Sequence, residues 1–167
     1  ECMDSIEIAP LTDAKVDLWI AAHEKTHVPR LSRFWYEAKD GARVILVAWR
    51  SDRPVGHVTL LWRSAYPKFT LGNIPEIVDL WVMASYRRHG IGARLLQTIE
   101  QIAYDRKCKS IGLGVGVLGR FGPAQRLYAR AGYLPDGTGL WAGGVNIVDD
   151  ASVWLDDAAT VMLVKDL

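Results

Sequence analysis

The sequence predicts a mixed β-sheet carrying helices, an α+β or α/β fold, built as one domain over residues 1–167. Three observations predict it. Residues 42–50, 55–62 and 77–83 are apolar runs of strand length, rich in β-branched and aromatic side chains. Residues 90–107 and 123–131 carry apolar side chains at helical spacing. The composition, 50% hydrophobic and 23% charged over 167 residues, is that of a packed globular chain and excludes disorder.

Taken in order, Ile6, Glu7 and Ile8 alternate as a first strand, and Val16, Leu18, Trp19 and Ala22 place a helix over residues 13–23. A second short helix covers residues 31–38. Residues 42–50 form a buried strand, Ser51, Asp52, Arg53 and Pro54 a turn, and residues 55–62 the antiparallel return. Residues 64–73 read as a loop before the strand at 77–83. In the helix at 90–107, Ile91, Leu95, Leu96, Ile99, Ile102 and Ala103 form one stripe. A strand follows at 110–117. The helix at 123–131 has Pro123 in its first turn and Gly132 just past its end. Strands near 140–147 and 159–164 close the chain.

Twenty basic residues stand against nineteen acidic ones, a net charge of +1 that offers no general attraction for nucleic acid or an anionic membrane. The balance is uneven along the chain. Residues 87–130 hold nine basic residues and two acids, whereas 131–167 hold Asp136, Asp149, Asp150, Asp156, Asp157 and Asp166 against Lys165 alone. Such segregation is a reason to seek an anionic ligand beside the basic stretch, set against a solvated helix face. Two cysteines, Cys2 and Cys108, make neither a disulfide framework nor a Cys-rich zinc site, and no metal is expected. No apolar stretch is long enough to span a membrane and none reads as a signal peptide, so a cytoplasmic location is expected.

Arg87, Arg88, His89, Gly90, Ile91, Gly92 and Ala93 lie between an apolar strand and an amphipathic helix. The first N–H groups of a helix are unpaired and carry partial positive charge; glycines let a phosphate approach them, and flanking arginines add charge. A phosphate or pyrophosphate site fits this chemistry, and a tight strand-to-helix turn fits the same spacing. The pattern is not a Walker loop, which requires Gly-Lys-Ser/Thr after a longer spacing.

Leu80-x-Val82 followed by Arg87-x-x-Gly90-x-Gly92 resembles the signature of the GCN5-related N-acetyltransferases (GNAT). Ala124-x-x-Leu127-Tyr128-x-x-x-Gly132-Tyr133 is similar to that family's later helix. The resemblance implies a mostly antiparallel central sheet, splayed at its two middle strands. It also implies acetyl-CoA as co-substrate, bound by Val82, Met83, Ala84, Arg87, Arg88, His89, Gly90, Ile91, Gly92 and Ala93. A backbone N–H at Val82 or Met83 would polarise the thioester carbonyl. Two positions depart from the pattern: Ala84 stands where a proline is frequent, and Phe121 or Gly122 where an asparagine helps to hold the pantetheine arm.

Acetyl transfer to an amine needs a base and an acid for the departing thiolate. Glu76 and Asp79 are the carboxylates of the central strand, and regular alternation places them on opposite faces, with Glu76 sharing its face with Val78, Leu80 and Val82. The resemblance implies Glu76 as base, with Asp79 open, and Tyr128 as acid. Packing accounts for Tyr128 equally well on helical spacing alone. His57 reads as a hydrogen-bonded structural histidine, and His23, His27, Trp35 and residues 143–154 as candidates for the acceptor mouth. Gly114-x-Gly116-x-x-Gly119 is a literal dinucleotide fingerprint with Asp136 about 20 residues on, but Arg120, Phe121 and Gly122 intervene before the helix.

The sequence therefore predicts an acetyl-CoA-dependent N-acetyltransferase, with direct transfer to a primary amine and neither nucleic acid nor membrane as partner. The alternatives are a non-catalytic acyl-CoA-binding module of the same fold and an NAD-binding oxidoreductase. The acceptor's identity and a homodimer stay open.

Overall fold

The structure, a computed structural model, describes residues 6–149 and 152–167; Cys2 and Asp150 lie outside them. Eight strands form one sheet in the order β1-β2-β3-β4-β5-β8-β6-β7. They are β1 (Glu7–Pro10), β2 (Arg43–Arg50), β3 (Arg53–Leu61), β4 (Glu76–Val82), β5 (Ser110–Gly116), β6 (Leu134–Ala142), β7 (Val145–Asn146) and β8 (Thr160–Asp166). The helices are α1 (Val16–Ala21), α2 (Val28–Lys39), α3 (Pro67–Gly72), α4 (Ile91–Asp105) and α5 (Gly122–Arg130). Every pairing is antiparallel except β4 with β5, which is parallel and joined only at Glu76↔Gly112 and Ile77↔Leu113. Beyond those two pairs β4 and β5 diverge, so the sheet splits in its middle.

Side-chain alternation explains why β2 reads as an unbroken apolar run. Ile45, Val47 and Trp49 pack with Trp19, Leu31 and Phe34 of α1 and α2, while Leu46 and Ala48 pack on the other face with Leu95, Leu96 and Ile99 of α4. A strand covered on both faces has no polar face to show. Burying the α4 stripe supplies the main apolar driving force on that side, roughly 1.5–3 kcal/mol for each large aliphatic side chain.

β4 does not alternate as expected. Val58 pairs with Leu80 but Leu60 with Ile77, so two residues of β4 oppose Thr59 and the strand bulges at Asp79, whose φ is 73°. Ile77, Leu80 and Val82 consequently face α4 and α5, whereas Val78 packs with the α1–α2 cluster. Leu80 and Val82 are therefore on the face opposite Val78, and Asp79, held by Arg30 of α2, lies on the α1–α2 face with Val78 and, two residues before it, Glu76. A bulge shifts the two-residue period by one, which alternation alone could not register.

Two further differences are local. Residues 64–73 contain α3, started by Pro67 and ended by Asn73 in the left-handed region; Phe69 buries its ring where a side chain at Gly112 would otherwise lie. The strand expected at 140–147 is a hairpin: β6 begins at Leu134, irregularly through Gly137 and Gly139, and turns at Gly143 and Gly144 into β7. No helix among the described residues is long and apolar enough to cross a membrane.

Candidate active site

The split between β4 and β5 opens a groove of about 1290 Å³, floored by Leu80, Trp81 and Val82 and walled by the β4–α4 loop and α5. Gly90 caps α4 with a φ of 78°, and Arg94 N–H donates to its carbonyl at 3.0 Å. The amides of Ile91, Gly92 and Ala93 precede that first intrahelical bond, so they are the unpaired donors of the helix. Arg88 is itself left-handed, at φ 64°, and Arg87 Nε donates to the Val82 carbonyl at 2.9 Å. Both line the groove with Ala84, Gly90, Ile91, Gly92 and Ala93.

Met83 and His89, expected in the same set, do not line it. The Met83 side chain lies against Arg53 Nη2 and lines a separate, shallower hollow with Leu18, Ala21 and Arg50; His89 is exposed. Met83 N–H is already bonded to the Val55 carbonyl at 2.9 Å. Successive amides of a strand point to opposite edges, so those of Val82 and Leu80 point away from β3 into the split. Of the two amides expected to polarise a carbonyl, Val82 has the right direction and Met83 does not.

The opposite wall contributes Arg120, Arg126 and Arg130 from α5 and the turn before it. The residues lining the groove include five arginines and no acid. The basic excess of residues 87–130 announced these arginines in sequence; which of them face a common groove depended on how α5 docks. Arg120 also meets Asp157 in an ion pair. Phe121 lays its ring over Gly116, where any Cβ would collide with it, and Gln125 Nε2 donates to the Gly116 carbonyl at 2.7 Å. Gly116 of the apparent dinucleotide fingerprint thus makes room for Phe121, and α5 starts only at Gly122, after a short 3-10 turn.

Tyr128 lines the inner end of the groove, 7% exposed, its ring edge-on to Tyr133 at 5.9 Å. Burial, with a smaller contribution from the Asp79 charge, pushes its phenol up to about 12. Burial likewise raises Glu76 above the usual carboxylate range, although the Ser64 hydroxyl donates to its Oε2 and Arg43 acts in the opposite sense.

Asp79 is surrounded differently. Burial alone would raise it, but His57 and the positive charge of Arg30 outweigh burial and hold it below the usual range. Arg30 Nη1 lies 2.8 Å and His57 Nε2 3.3 Å from Asp79 Oδ2. His57, 1% exposed, accepts a hydrogen bond at Nδ1 from Trp19 Nε1 at 3.2 Å. The expectation of a hydrogen-bonded structural His57 agrees with this. The rings of Trp19, His23, His57 and Trp81 form one cluster in which His57 touches the carboxylate, with His23 and Trp81 centroids 4.5 Å apart. Of the residues expected at the acceptor mouth, His23 joins this cluster, whereas Trp35 packs under α2 against β2.

The sequence pattern of the Acetyltransferase (GNAT) family matches residues 8–133. The chain belongs to this family. Its fold is also that of solved structures with low sequence identity. A GNAT-family protein from Desulfovibrio desulfuricans superposes with a TM-score of 0.73 at 10% identity, covering 97% of this chain and 99% of that one. A GNAT acetyltransferase from Elizabethkingia anophelis, solved with acetyl-CoA bound, gives 0.66 at 17% identity over 98% and 99%. The PaiA N-acetyltransferase of Thermoplasma acidophilum, in complex with coenzyme A, gives 0.67 at 14% identity over 98% and 99%. No curated protein is detectably similar in sequence. This GNAT chain therefore has the expected mixed, mostly antiparallel sheet, split at its middle strands.

Proposed function

We propose that this protein is an acetyl-CoA-dependent N-acetyltransferase that moves the acetyl group directly to a primary amine. The observation that carries the reading is the split of β4 from β5, lined by unpaired strand amides, the α4 N-terminus and five arginines without an acid. A long, flexible thioester with an anionic diphosphate end matches both properties. The α4 amides with Arg87 and Arg88 hold the pyrophosphate, and the Val82 amide polarises the thioester carbonyl.

In the reaction the amine nitrogen attacks the carbonyl carbon, the N–C bond forms and the C–S bond breaks. Glu76, kept basic by its buried position, takes a proton from the nitrogen, and Tyr128 supplies one to the departing sulfur. A second reading gives the base to Asp79, favoured by the reach of its charge to the Tyr128 phenol.

The test offers acetyl-CoA with a panel of primary amines (alkylamines, amino acids, an aminoglycoside and peptide N-termini) and measures release of free CoA and the N-acetyl product by mass. Acetylation of at least one amine is expected. Tight NAD binding without CoA binding would refute the reading, and CoA binding without transfer to any amine would make the protein an acyl-CoA-binding module. Between the bases, Glu76→Gln is expected to lower kcat about 100-fold and Asp79→Asn less; the reverse order assigns the base to Asp79.

A further inference from the structure

Conversion of an ammonium and a thioester into an amide and a thiol releases one net proton, which has to leave the site. Beside Trp81, His23 Nε2 is buried with no hydrogen-bond partner among the described residues, while His57 Nε2 and Asp79 Oδ2 face each other at 3.3 Å. The tautomers of the two histidines follow from what surrounds them. His23 Nδ1 lies 2.8 Å from the Trp19 carbonyl, which can only accept, so Nδ1 carries the hydrogen and the free lone pair of neutral His23 is at Nε2. His57 accepts at Nδ1 from the Trp19 indole, so its own hydrogen is at Nε2, toward Asp79. Trp19 thus fixes one imidazole as a free base and the other as a donor to the carboxylate, their ring centroids 5.1 Å apart.

We propose that His23 receives the proton lost by the acceptor's ammonium group and delivers it to solvent, with Asp79 as the positioning residue that stabilises the imidazolium and His57 as the residue that holds the Asp79 carboxylate in place. This rests on the transferase reading. The R–NH3+ nitrogen gives up one proton to His23 Nε2 and becomes the neutral nucleophile. Its second departing proton goes to Glu76 and balances the one that Tyr128 gives to sulfur, so His23 carries only the net proton. The charges facing His23 come from three sides: Asp79 on β4 favours the imidazolium, while His57 on β3 and His27 beyond α1 disfavour it. Arg30 on α2 neutralises part of Asp79. Burial is the largest influence and holds His23 below 6.5, hence neutral and able to accept at pH 7.

The experiment compares wild type, His23→Ala, His23→Gln and Asp79→Asn, using acetyl-CoA and the panel amine with the highest wild-type rate. Both His23 variants are expected to lose about 100-fold in kcat while binding CoA as tightly as wild type. Added imidazole restores His23→Ala. The wild-type rate falls as pH drops below 6.5, this limb vanishes in the His23 variants, and it moves to lower pH in Asp79→Asn. A rate within threefold of wild type in His23→Gln, or a loss that imidazole does not restore with the acidic limb intact, overturns the proposal and leaves the transferase reading standing. A wild type that transfers acetyl to no amine overturns that reading itself.

Discussion

Replacing Tyr128 with phenylalanine removes one oxygen and keeps the packed ring. The ring is 7% exposed and stays edge-on to Tyr133, and the hydroxyl shares no hydrogen bond with another described side chain. Loss of the oxygen therefore orphans no buried partner, and stability should change by no more than about 1 kcal/mol. The chemical step should change far more. A positioned acid contributes about 10²–10⁴ in rate, or roughly 2.7–5.4 kcal/mol of barrier at 1.36 kcal/mol per decade. The lower end applies, because a phenol held at about 12 is a weak acid toward a thiolate whose own pKa is near 8.5. Proton donation then helps only when coupled to proton loss from the nitrogen. We expect a single-turnover acetyl-transfer rate about 100-fold below wild type, measured by rapid quench with limiting acetyl-CoA, at an unchanged melting temperature. Because the phenol stays protonated well above neutrality, the deficit should be constant between pH 6 and 9. A rate within threefold of wild type, or a deficit that shrinks toward pH 9, would refute the assignment of Tyr128 as the acid.

Glu76→Gln should raise the melting temperature at pH 7 while it lowers the rate. A carboxylate held above its usual range binds its proton more tightly folded than unfolded, so its contribution is complete below the unfolded value of 4.5 and is lost as pH rises through the folded value. The two proteins should melt alike at pH 4; a glutamine variant less stable at pH 7 would show that the ionised carboxylate is well solvated. Arg126→Gln with Arg130→Gln should weaken CoA binding about tenfold in calorimetry at low salt, and less at 0.5 M salt. An unchanged affinity would place these arginines outside the cofactor's reach.

Much of this architecture is legible in sequence because it follows from periodicity. The α4 stripe of Leu95, Leu96 and Ile99 is a core face in both readings, and β2 reads as buried because both of its faces are. The β4–α4 loop is legible for a different reason: Gly90 has to be left-handed and Arg87 and Arg88 carry charge, and both properties are local. What depends on docking is not legible. Arg120, Arg126 and Arg130 look like any basic helix face until α5 closes against β5, with Phe121 lying over Gly116. The α1–α2 region gives no motif at all, yet it contributes Trp19, His23 and Arg30 to the surroundings of Asp79, a strand residue some 50 positions away.

The bulge at Asp79 connects these levels. A non-glycine residue in the left-handed region costs of order 1–3 kcal/mol unless its surroundings over-determine it, and here they do: Arg30 and His57 hold the carboxylate, and Leu80 and Val82 return to the core beyond it. The same irregularity has three consequences for the site. It turns Leu80 and Val82 onto the face where α4 and α5 form the groove. It directs the Val82 amide into the split while Met83 stays bonded to β3. It also brings Asp79 to the face of Glu76, near His23 and His57 and within electrostatic reach of Tyr128. A regular β4 would put the carboxylate among the aliphatic side chains of α4 instead, away from Arg30 and His57. The geometry of the groove and of the Asp79 cluster thus depends on one residue at which the strand departs from its period, the place where a reading by alternation is bound to fail.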